Sequence, residues 1–395
     1  MEKKNTDVFR KYKRKLQSTY IEHGRNKKYL LQTELHLEQM EKHLGQTSCL
    51  FITHDNDGGT RTFENRNKYK YAPVAVLRRL RYAYMEDNFF RIEIYIRDEE
   101  IHYLIKLEDL NRIFQHEYQM IIVNSLVTFQ CYRTILDLLI GYKKTYSNCI
   151  IQYFVHDFHA VCPNENLCNN ECYCYLKCDE NNCELYNGNN LVYIQDWRNI
   201  WRIFLNGADE IRCFSESSKL ILQKAYPMID NKKITVKPHD TSYCTYSPIT
   251  NMEDLPLCIG IVGAITSGAK GKSVVSKIMR RYGQEIPIRI IGTKAWRYCI
   301  FRKKVKYLGP YKRDELREIL KSEKVSLVVF PSLWPETFSY LISELIAMDI
   351  PIVCFNYGAQ AEKVSKYHKG IVCANVDEMC TVIEKYKKRG WCAEN

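Results

Sequence analysis

The sequence predicts an α/β protein with two doubly wound parallel-sheet domains that face a central cleft, preceded by a basic helical prefix. Short, continuously apolar runs alternate with segments of helical period, and residues 239–256, which contain two prolines and no periodicity, are the best candidate for a linker between the two halves. Apolar strands between amphipathic helices are typical of parallel sheets covered on both faces. Ligands of such sheets bind beyond the carboxyl ends of the strands, so the residues that follow each strand are the candidates for function.

The prefix covers residues 1–48 and carries 11 Lys and Arg against 6 Asp and Glu. Its apolar residues recur at i+3 and i+4 spacing, which predicts one or two amphipathic helices. A basic amphipathic helix either lies on an anionic membrane surface or packs against its own domain or another helix, and the sequence leaves both readings open. The spaced residues are Val8, Tyr12, Leu16, Tyr20, Leu37, Met40 and Leu44.

The first predicted domain covers residues 49–245. Apolar runs predict strands over 49–53, 74–80, 92–96, 101–105, 119–123, 149–155 and 210–214, and helical spacing predicts helices over 129–140, 196–205 and 217–225. Gly58 and Gly59 follow the first strand, where glycine permits a close approach of the backbone to a ligand or simply makes a tight turn. His156 ends the strand over 149–155, a position that suits either a catalytic or a structural histidine.

A Cys- and Asn-rich loop lies at about residues 157–190. Its thiols are either reduced structural cysteines or zinc ligands, with His156 and His159 as further candidates. No CxxC pair occurs, which argues against an ordinary zinc knuckle. The cysteines of this loop are Cys162, Cys168, Cys172, Cys174, Cys178 and Cys183.

The second predicted domain covers residues 255–395. Strands are predicted over 257–262, 286–291, 325–330 and 350–355, and helices over 273–282, 313–322, 338–347 and 376–387. Lys270 and Lys272 follow the first of these strands at a helix start, where backbone amides and a lysine suit a phosphate. Gly271-Lys272-Ser273 imitates the end of a P-loop, but position 266 is Thr where that motif needs Gly, so a P-loop nucleotidase is not expected.

The most informative stretch runs from Pro331 to Glu344. A strand ends, a turn bounded by prolines follows, and a helix is predicted to begin near residue 338, where unpaired amides and the helix dipole favour an anion. Glu336 and Glu344 would lie about 12 Å apart along the helix axis. This spacing suits a ligand with hydroxyl groups at both ends and a phosphate between them. The alternative is an acidic residue that complements the helix dipole, followed by an ordinary helical Glu.

Charge and composition limit the partners. The 58 Lys and Arg against 46 Asp and Glu give a net charge of +12, which favours nucleic acid, anionic lipid or a phosphorylated small molecule. Nucleic acid is not expected, because no recognition motif occurs and the lysines are spread along the chain. No apolar run approaches the roughly 18 residues of a membrane span, and no secretory signal opens the chain. With 17 cysteines read as reduced thiols, a cytoplasmic location is expected.

Over about residues 49–390, these motifs resemble retaining glycosyltransferases of family 4, which have the GT-B fold. Glu336 and Glu344 resemble the E-x7-E signature of the family, and Lys270 resembles its phosphate-contacting lysine. The strings at 156–163 and 334–340 resemble a branch associated with rhamnan and O-antigen polysaccharides. Ala264 stands where the family often has arginine, and Ser339 stands where it commonly has glycine.

The resemblance implies a retaining hexosyltransferase that moves a sugar from a UDP-, GDP- or dTDP-linked donor to a saccharide or lipid-linked acceptor in polysaccharide biosynthesis, without a metal or other cofactor. Two alternatives remain open: a nucleotide-sugar epimerase of the same fold, and a non-catalytic nucleotide-sugar-binding relative, which Ala264 motivates. Peripheral contact with the cytoplasmic membrane face would suit a lipid-linked acceptor. The residues implied are Lys270, Lys272 and the amides of Phe338, Ser339 and Tyr340 for the diphosphate, Glu336 for the sugar, Glu344 for the ribose, and His156, Gly58 and Gly59 on the reacting side.

Overall fold

A computed structural model describes residues 33–54, 58–79, 89–97, 99–169, 171–178, 183–187, 190–250, 255–293 and 302–390. Most of the predicted prefix, including Val8, Tyr12, Leu16 and Tyr20, lies outside these ranges. The described residues form two compact units that interleave along the chain. The first contains the residues up to Pro163, with Leu185–Arg212 and Met228–Thr235, and the second contains Asn164–Glu184, Cys213–Pro227 and the residues from Val236 onward.

The helices and strands up to residue 236 alternate as the apolar pattern predicts, with additions. The prefix ends in helix α1, and a helix that the pattern did not predict follows the first strand. The elements are α1 (Thr33–Leu44), β1 (Cys49–His54), α2 (Gly59–Asn67), β2 (Val74–Arg79), β3 (Phe89–Ile96), β4 (Glu99–Lys106), α3 (Leu110–Phe114), β5 (Met120–Val123), α4 (Tyr132–Thr145), β6 (Ile150–Phe154), β7 (Cys168–Asn169), β8 (Cys172–Tyr173), β9 (Leu185–Asn187), β10 (Asn190–Val192), α5 (Ile194–Gly207), β11 (Glu210–Cys213), α6 (Glu216–Ala225) and β12 (Ile234–Val236).

The sheet of the first unit has eight strands in the order β12-β11-β6-β5-β1-β2-β3-β4. Its centre is parallel, as the buried apolar strands predict. The edge differs from the prediction, because β3 pairs antiparallel with both β2 and β4. Only two residues separate β3 from β4, too few for the crossover that parallel strands need. The strand order reverses at β1, whose neighbours are β5 on one side and β2 on the other.

A buried ionic cluster ties α2 to this sheet. Arg78 on β2 is fully buried and donates to Glu93 on β3 (Nε to Oε1, 2.6 Å) and to Glu64 on α2 (Nη1 to Oε2, 3.1 Å). Burial alone would raise the pKa of Glu93, but the hydrogen bonds and charge of Arg78 hold it well below its usual range. Arg78 also donates to the carbonyl oxygen of His54 at the end of β1 (2.9 Å). The cluster therefore fixes the helix that follows Gly58.

The elements from residue 259 onward form a regular alternation of strands and helices. They include two strands and one helix that the sequence pattern did not predict, at Val305–Gly309, Gly370–Cys373 and Gly358–Val364. The elements are β13 (Ile259–Val262), α7 (Lys272–Tyr282), β14 (Ile288–Ile291), β15 (Val305–Gly309), α8 (Leu316–Ser322), β16 (Leu327–Phe330), α9 (Tyr340–Ala347), β17 (Ile352–Phe355), α10 (Gly358–Val364), β18 (Gly370–Cys373) and α11 (Val376–Arg389).

The second unit is built on a six-stranded sheet in the order β15-β14-β13-β16-β17-β18, in which every neighbouring pair is parallel. Both faces are covered. On one face, α7 and α11 pack on the sheet with Ile278, Met279 and Ile383. On the other face, α8, α9 and α10 pack with Leu316 and Leu345, among others. This two-sided burial explains why the strands read as continuous apolar runs.

In the ranges that the structure describes, no helix combines the length and the apolar character that a bilayer crossing would require.

Candidate functional site

The strand order of the second sheet places a candidate site between β13 and β16. From β13 the chain continues to β14 and β15 on one side, and from β16 it continues to β17 and β18 on the other side. The loops that follow β13 and β16 therefore lead in opposite directions. Such a topological switch point is where open α/β sheets bind ligands. The loop after β13 contains Lys270, and the loop after β16 contains Glu336. The two candidate segments of the sequence therefore meet at one edge of one sheet.

The loop after β16 is held in place from several sides. Gln360 on α10 accepts from the amide of Glu336 (3.0 Å) and donates to the carbonyl of Trp334 (2.7 Å). Gly358 has a left-handed backbone, and a Cβ there would lie 2.5 Å from Cα of Pro335, so only glycine permits this approach. The amide of Leu333 donates to the carbonyl of Ala269 (2.8 Å), which joins the two loops.

Two segments from earlier in the chain also support this loop within the second unit. The amide of Tyr173 on β8 donates to the carbonyl of Leu333 (3.1 Å). At the start of α6, the hydroxyl of Ser218 donates to the carbonyl of Thr337 (3.3 Å), and the amide of Ser217 donates to Glu362 on α10 (3.0 Å). These hydrogen bonds hold the loop after β16 in one position, as a rigid platform.

The helix after this loop begins at Tyr340, two residues later than predicted. Ser339 precedes it with φ 59° and ψ 84°, a left-handed conformation that cannot continue a helix. Glycine, which the resemblance leads one to expect at this position, would adopt this backbone without strain. An α-helix leaves its first four amides without intrahelical partners. They lie at the positive end of the helix dipole, where an anion is stabilised.

Three polar side-chain groups of this loop have no hydrogen-bond partner in the described part of the chain. They are the hydroxyls of Ser332 and Ser339, and Nε1 of Trp334. Ser332 is 2% exposed and Ser339 is 7% exposed. Because buried polar groups are normally paired, three orphans in one loop indicate a ligand that supplies hydrogen-bonding groups.

We expect Ser339→Gly to stabilise the protein by about 1 kcal/mol. The substitution relieves the left-handed strain of a residue with a Cβ and removes a buried hydroxyl without a partner. Urea unfolding followed by circular dichroism measures the change. Ser343→Gly, in the interior of the same helix, should instead destabilise, because glycine costs backbone entropy there. A less stable Ser339→Gly variant would contradict this account of the turn.

Lys270 and Glu336 form an ion pair across the two loops. Nζ of Lys270 lies 2.8 Å from Oε1 of Glu336 and 4.9 Å from the ring centre of Trp334. The Lys270 side chain is 38% exposed and that of Glu336 is 11% exposed, so the carboxylate is the more enclosed partner. The pair therefore joins the two loops that follow the switch-point strands β13 and β16.

The backbone beside Lys270 is shaped for close packing. Gly271 has φ +81°, and a Cβ there would lie 2.0 Å from the carbonyl oxygen of Pro331. Lys272, predicted as a further phosphate contact, is the first residue of α7 and is half-buried. Thr293 fixes the start of the same loop, because its hydroxyl donates to the carbonyl of Gly263 and accepts from the amide of Ile265, both at 2.8 Å.

Glu344 lies on the next turn of α9 and is 4% exposed. Its Oε1 accepts from Nε of Arg313 (2.7 Å) and from the hydroxyl of Tyr243 (3.3 Å). The Arg313 guanidinium also lies over the rings of Tyr243 (4.9 Å) and Tyr340 (5.9 Å). Burial and the neighbouring Cys244 and Glu344 raise the pKa of Tyr243, so its hydroxyl remains a donor. Arg313 and Tyr243 were not identified from the sequence.

The candidates of the first unit lie at the carboxyl ends of its parallel strands. His156 follows β6, is 8% exposed, and donates from Nε2 to Oδ1 of Asn124 after β5 (2.8 Å). Asn124 in turn donates to Thr53 on β1 (3.2 Å). Gly58 caps α2, and Gly59 is its first residue, so the predicted glycine loop is also a helix start. A chain of hydrogen bonds through Asn124 and Thr53 therefore orients His156 at the carboxyl end of this sheet.

The zinc alternative for the Cys-rich loop finds no support among the described residues, which contain no group of three or more His, Cys, Asp or Glu placed to hold a metal ion. Burial and the nearby Cys174 and Cys172 raise the pKa of Cys168 to about 12, so this thiol stays protonated at neutral pH. Burial, with the nearby His54, lowers the pKa of His159 to about 3, so its imidazole is neutral. Its ring packs edge-on against Trp197 at 4.8 Å.

The structure thus brings Lys270 and Glu336 into contact, and Phe338, Ser339 and Tyr340 follow Glu336 at the end of its loop and the start of α9. Glu344 follows one turn later. His156, Gly58 and Gly59 belong to the first unit. The residues missed from the sequence include Tyr243, Thr293 and Arg313, because each contacts a residue at least 28 positions away.

Residues 258–388 match the model of the family described as glycosyl transferases group 1. Among solved structures, Alr3699/HepE from Anabaena in complex with UDP-glucose is 13% identical, with a TM-score of 0.53 over 85% of this chain and 89% of that one. Sucrose-phosphate synthase from Thermosynechococcus elongatus is 12% identical, with a TM-score of 0.56 over 87% and 90%. The lipopolysaccharide outer core galactosyltransferase WaaB in its apo form is 12% identical, with a TM-score of 0.51 over 86% and 90%.

No curated protein sequence matches this chain significantly. At these identities the structural likeness shows the fold alone, and that fold is GT-B, so the predicted fold class is confirmed. The group 1 match adds support for glycosyltransferase activity in the segment that holds Lys270, Glu336 and Glu344.

Proposed function

We propose that this protein is a glycosyltransferase that moves a sugar from a nucleotide-diphosphate donor to a saccharide or lipid-linked saccharide acceptor, with retention of the anomeric configuration. The observation that carries the proposal is the arrangement at the switch point of the second sheet. A lysine and a carboxylate pair across two loops, the loop with the carboxylate holds three orphaned polar groups and leads into α9, and a second carboxylate lies on that helix. The family match, and UDP-glucose in one of the structural neighbours, support a donor of this class.

The proposed chemistry follows from the leaving group. As the bond from the sugar to the diphosphate breaks, negative charge builds on the diphosphate and must be stabilised. Lys270 supplies a positive charge, with Lys272 as a further contact, and the amides around Ser339 and Tyr340 supply fixed dipoles. Glu336 holds hydroxyls of the donor sugar, and Glu344 holds those of the ribose. His156, with Gly58 and Gly59, is assigned to the reacting side of the sugar.

Donor binding exchanges the ion pair between Lys270 and Glu336 for contacts with the ligand. An ion pair with one partly exposed member is worth about 1 kcal/mol or less, so the exchange costs little. Lys270 then turns to the phosphate, which is a better partner because it carries more charge, and Glu336 is released to accept hydrogen bonds from the sugar. The pair holds both side chains near their positions until the donor arrives.

We further propose a role in polysaccharide biosynthesis at the cytoplasmic face of a membrane. The net charge of +12 supports an anionic environment such as a lipid-linked diphosphate acceptor and its membrane. The basic residues 1–48 are the proposed membrane-contacting segment. Unchanged sedimentation with anionic liposomes after deletion of these residues would argue against that role.

A thermal-shift screen with UDP-, GDP- and dTDP-sugars tests the donor site. We expect one donor class to raise Tm in the wild type and to lose this effect in Glu344→Ala, because the ribose loses its partner. Glu318→Ala, which removes an exposed carboxylate on α8, is the matched control and should respond like the wild type. Equal shifts in the wild type and Glu344→Ala would remove Glu344 from the site, and no shift with any donor would contradict the proposed function.

A further inference from the structure

Lys363 on α10 reaches into the first turn of α9. Its Nζ donates to the carbonyl oxygen of Ser339 (3.2 Å) and to the hydroxyl of Ser343 (2.7 Å), and it lies 3.3 Å from the ring centre of Phe338. The side chain is half-buried. Because its ammonium group donates to a backbone carbonyl at this point, Lys363 stabilises the conformation of the turn.

The carbonyl that Lys363 binds belongs to the peptide unit between Ser339 and Tyr340. This unit is planar and trans, so its carbonyl and the amide of Tyr340 point in opposite directions. Holding the carbonyl against Lys363 therefore aims the Tyr340 amide away from α10. The left-handed conformation of Ser339 is intrinsically unfavourable, so such a tether is needed to hold this orientation.

Resting on the function proposed above, we propose that Lys363 is a positioning residue of the donor site, and that binding of the donor diphosphate is coupled to proton uptake by Lys363. The charged ammonium holds the Ser339 carbonyl more strongly than the neutral amine does. It also adds positive charge behind the amides that face the phosphate. A bound diphosphate therefore favours the charged form, and the charged form favours the diphosphate.

The surroundings of Lys363 make this coupling measurable near neutral pH. Burial lowers the pKa of Lys363 to about 7, while the negative groups nearby oppose that shift. These groups are Glu336 on the loop after β16, Glu362 on the same helix, and Cys244 on the segment before β13. The amine is therefore largely neutral at pH 8.5 and must gain a proton when an anion binds.

Isothermal titration with UDP, GDP and dTDP on the full chain tests the coupling between pH 7.0 and 8.5. The last phosphate proton of these ligands leaves at about pH 6, below this window. We expect the affinity for the nucleotide that binds to fall about tenfold between pH 7.0 and 8.5. Each pH unit above the pKa of Lys363 in the unliganded protein lowers the affinity by up to tenfold. Titration in two buffers of different ionisation heat should report uptake of most of one proton at pH 8.

Four variants isolate Lys363. Lys363→Met should bind weakly at pH 7.0 with a flat profile, and Lys363→Arg, which keeps its charge, should bind at pH 8.5 at least as well as the wild type does. Lys366→Met removes an exposed lysine just beyond α10, and Cys244→Ser removes the neighbouring thiol. Both keep Lys363 and should keep a fall in affinity with rising pH, displaced at most slightly along the pH axis.

A pH-independent affinity in the wild type, or a wild-type profile in Lys363→Met, would overturn the inference and leave the donor site intact. The wild-type measurement suffices if Lys363→Met does not fold. Absence of binding by all three nucleotides at every pH would overturn the proposed function, and this inference with it.

Discussion

Replacement of Lys270 by alanine is expected to lower kcat for sugar transfer by about 100- to 1000-fold. The lysine supplies a positive charge in the loop that pairs with Glu336, where the leaving diphosphate is proposed to lie, and loss of one such group typically costs this much. Nζ of Lys270 contacts Glu336 at 2.8 Å, so the variant also frees that carboxylate. An uncompensated carboxylate beside a diphosphate repels it, which adds to the loss.

Product formation from the nucleotide sugar identified by thermal shift measures the effect, with kcat and KM determined separately. Lys277→Ala is the matched control, because this lysine lies on α7, is exposed and pairs with Asp377 at 2.7 Å. It should leave kcat unchanged. A Lys270→Ala variant that retains more than about a tenth of the wild-type kcat would remove Lys270 from the reaction.

Replacement of Arg78 by methionine is expected to destabilise the protein by about 3–5 kcal/mol. The change leaves the buried carboxylates of Glu64 and Glu93 without their guanidinium, and removing one member of a buried ionic cluster costs this much. It also leaves the carbonyl of His54 without its donor. Because α2 is held through Glu64, we expect the region after Gly58 to lose its fixed position first.

Denaturant unfolding at pH 7 measures the difference. Arg112→Met, which breaks an exposed ion pair with Glu41, should cost less than about 1 kcal/mol. Because the pKa of Glu93 is lowered in the folded state, the ionised carboxylate stabilises the fold at pH values above its unfolded-state pKa. This stabilisation is lost as the pH falls and Glu93 takes up a proton. The difference in free energy of unfolding between wild type and Arg78→Met should therefore become smaller below about pH 4. A gap below about 1 kcal/mol at pH 7 would contradict the role of the cluster.

The central strands were predictable because they are buried on both faces. Strands such as β1 and β17 appear in the sequence as uninterrupted apolar runs, and their predicted bounds differ from the observed ones by at most two residues. Helix α2 was not predictable in this way. Phe63 is its only large apolar residue, and Glu64, a charged residue, is completely buried because Arg78 lies opposite it. Local periodicity carries no information about such a partner.

The candidate site was predictable in its sequence-local parts. Lys270 follows β13, and Glu336 and Glu344 follow β16. Because these neighbouring parallel strands end at the same edge of the sheet, the segments that follow them were expected to lie close together. The contact of Glu344 with Arg313, and that of Ser339 with Lys363, were not predictable, because each depends on how α9 packs against elements elsewhere in the chain. The start of α9 was placed two residues early, since nothing local marks Ser339 as left-handed when it is not glycine.

The interleaving of the two units has a practical consequence for anyone who divides this protein. Three residues that donate hydrogen bonds to the platform around Glu336 come from earlier in the sequence, namely Tyr173, Ser217 and Ser218. A fragment that begins after residue 255 would carry the whole six-stranded sheet and still lack three hydrogen-bond partners of that platform. Chimaeras that aim to transplant donor preference must therefore carry residues 164–184 and 213–227 along with the carboxyl-terminal half.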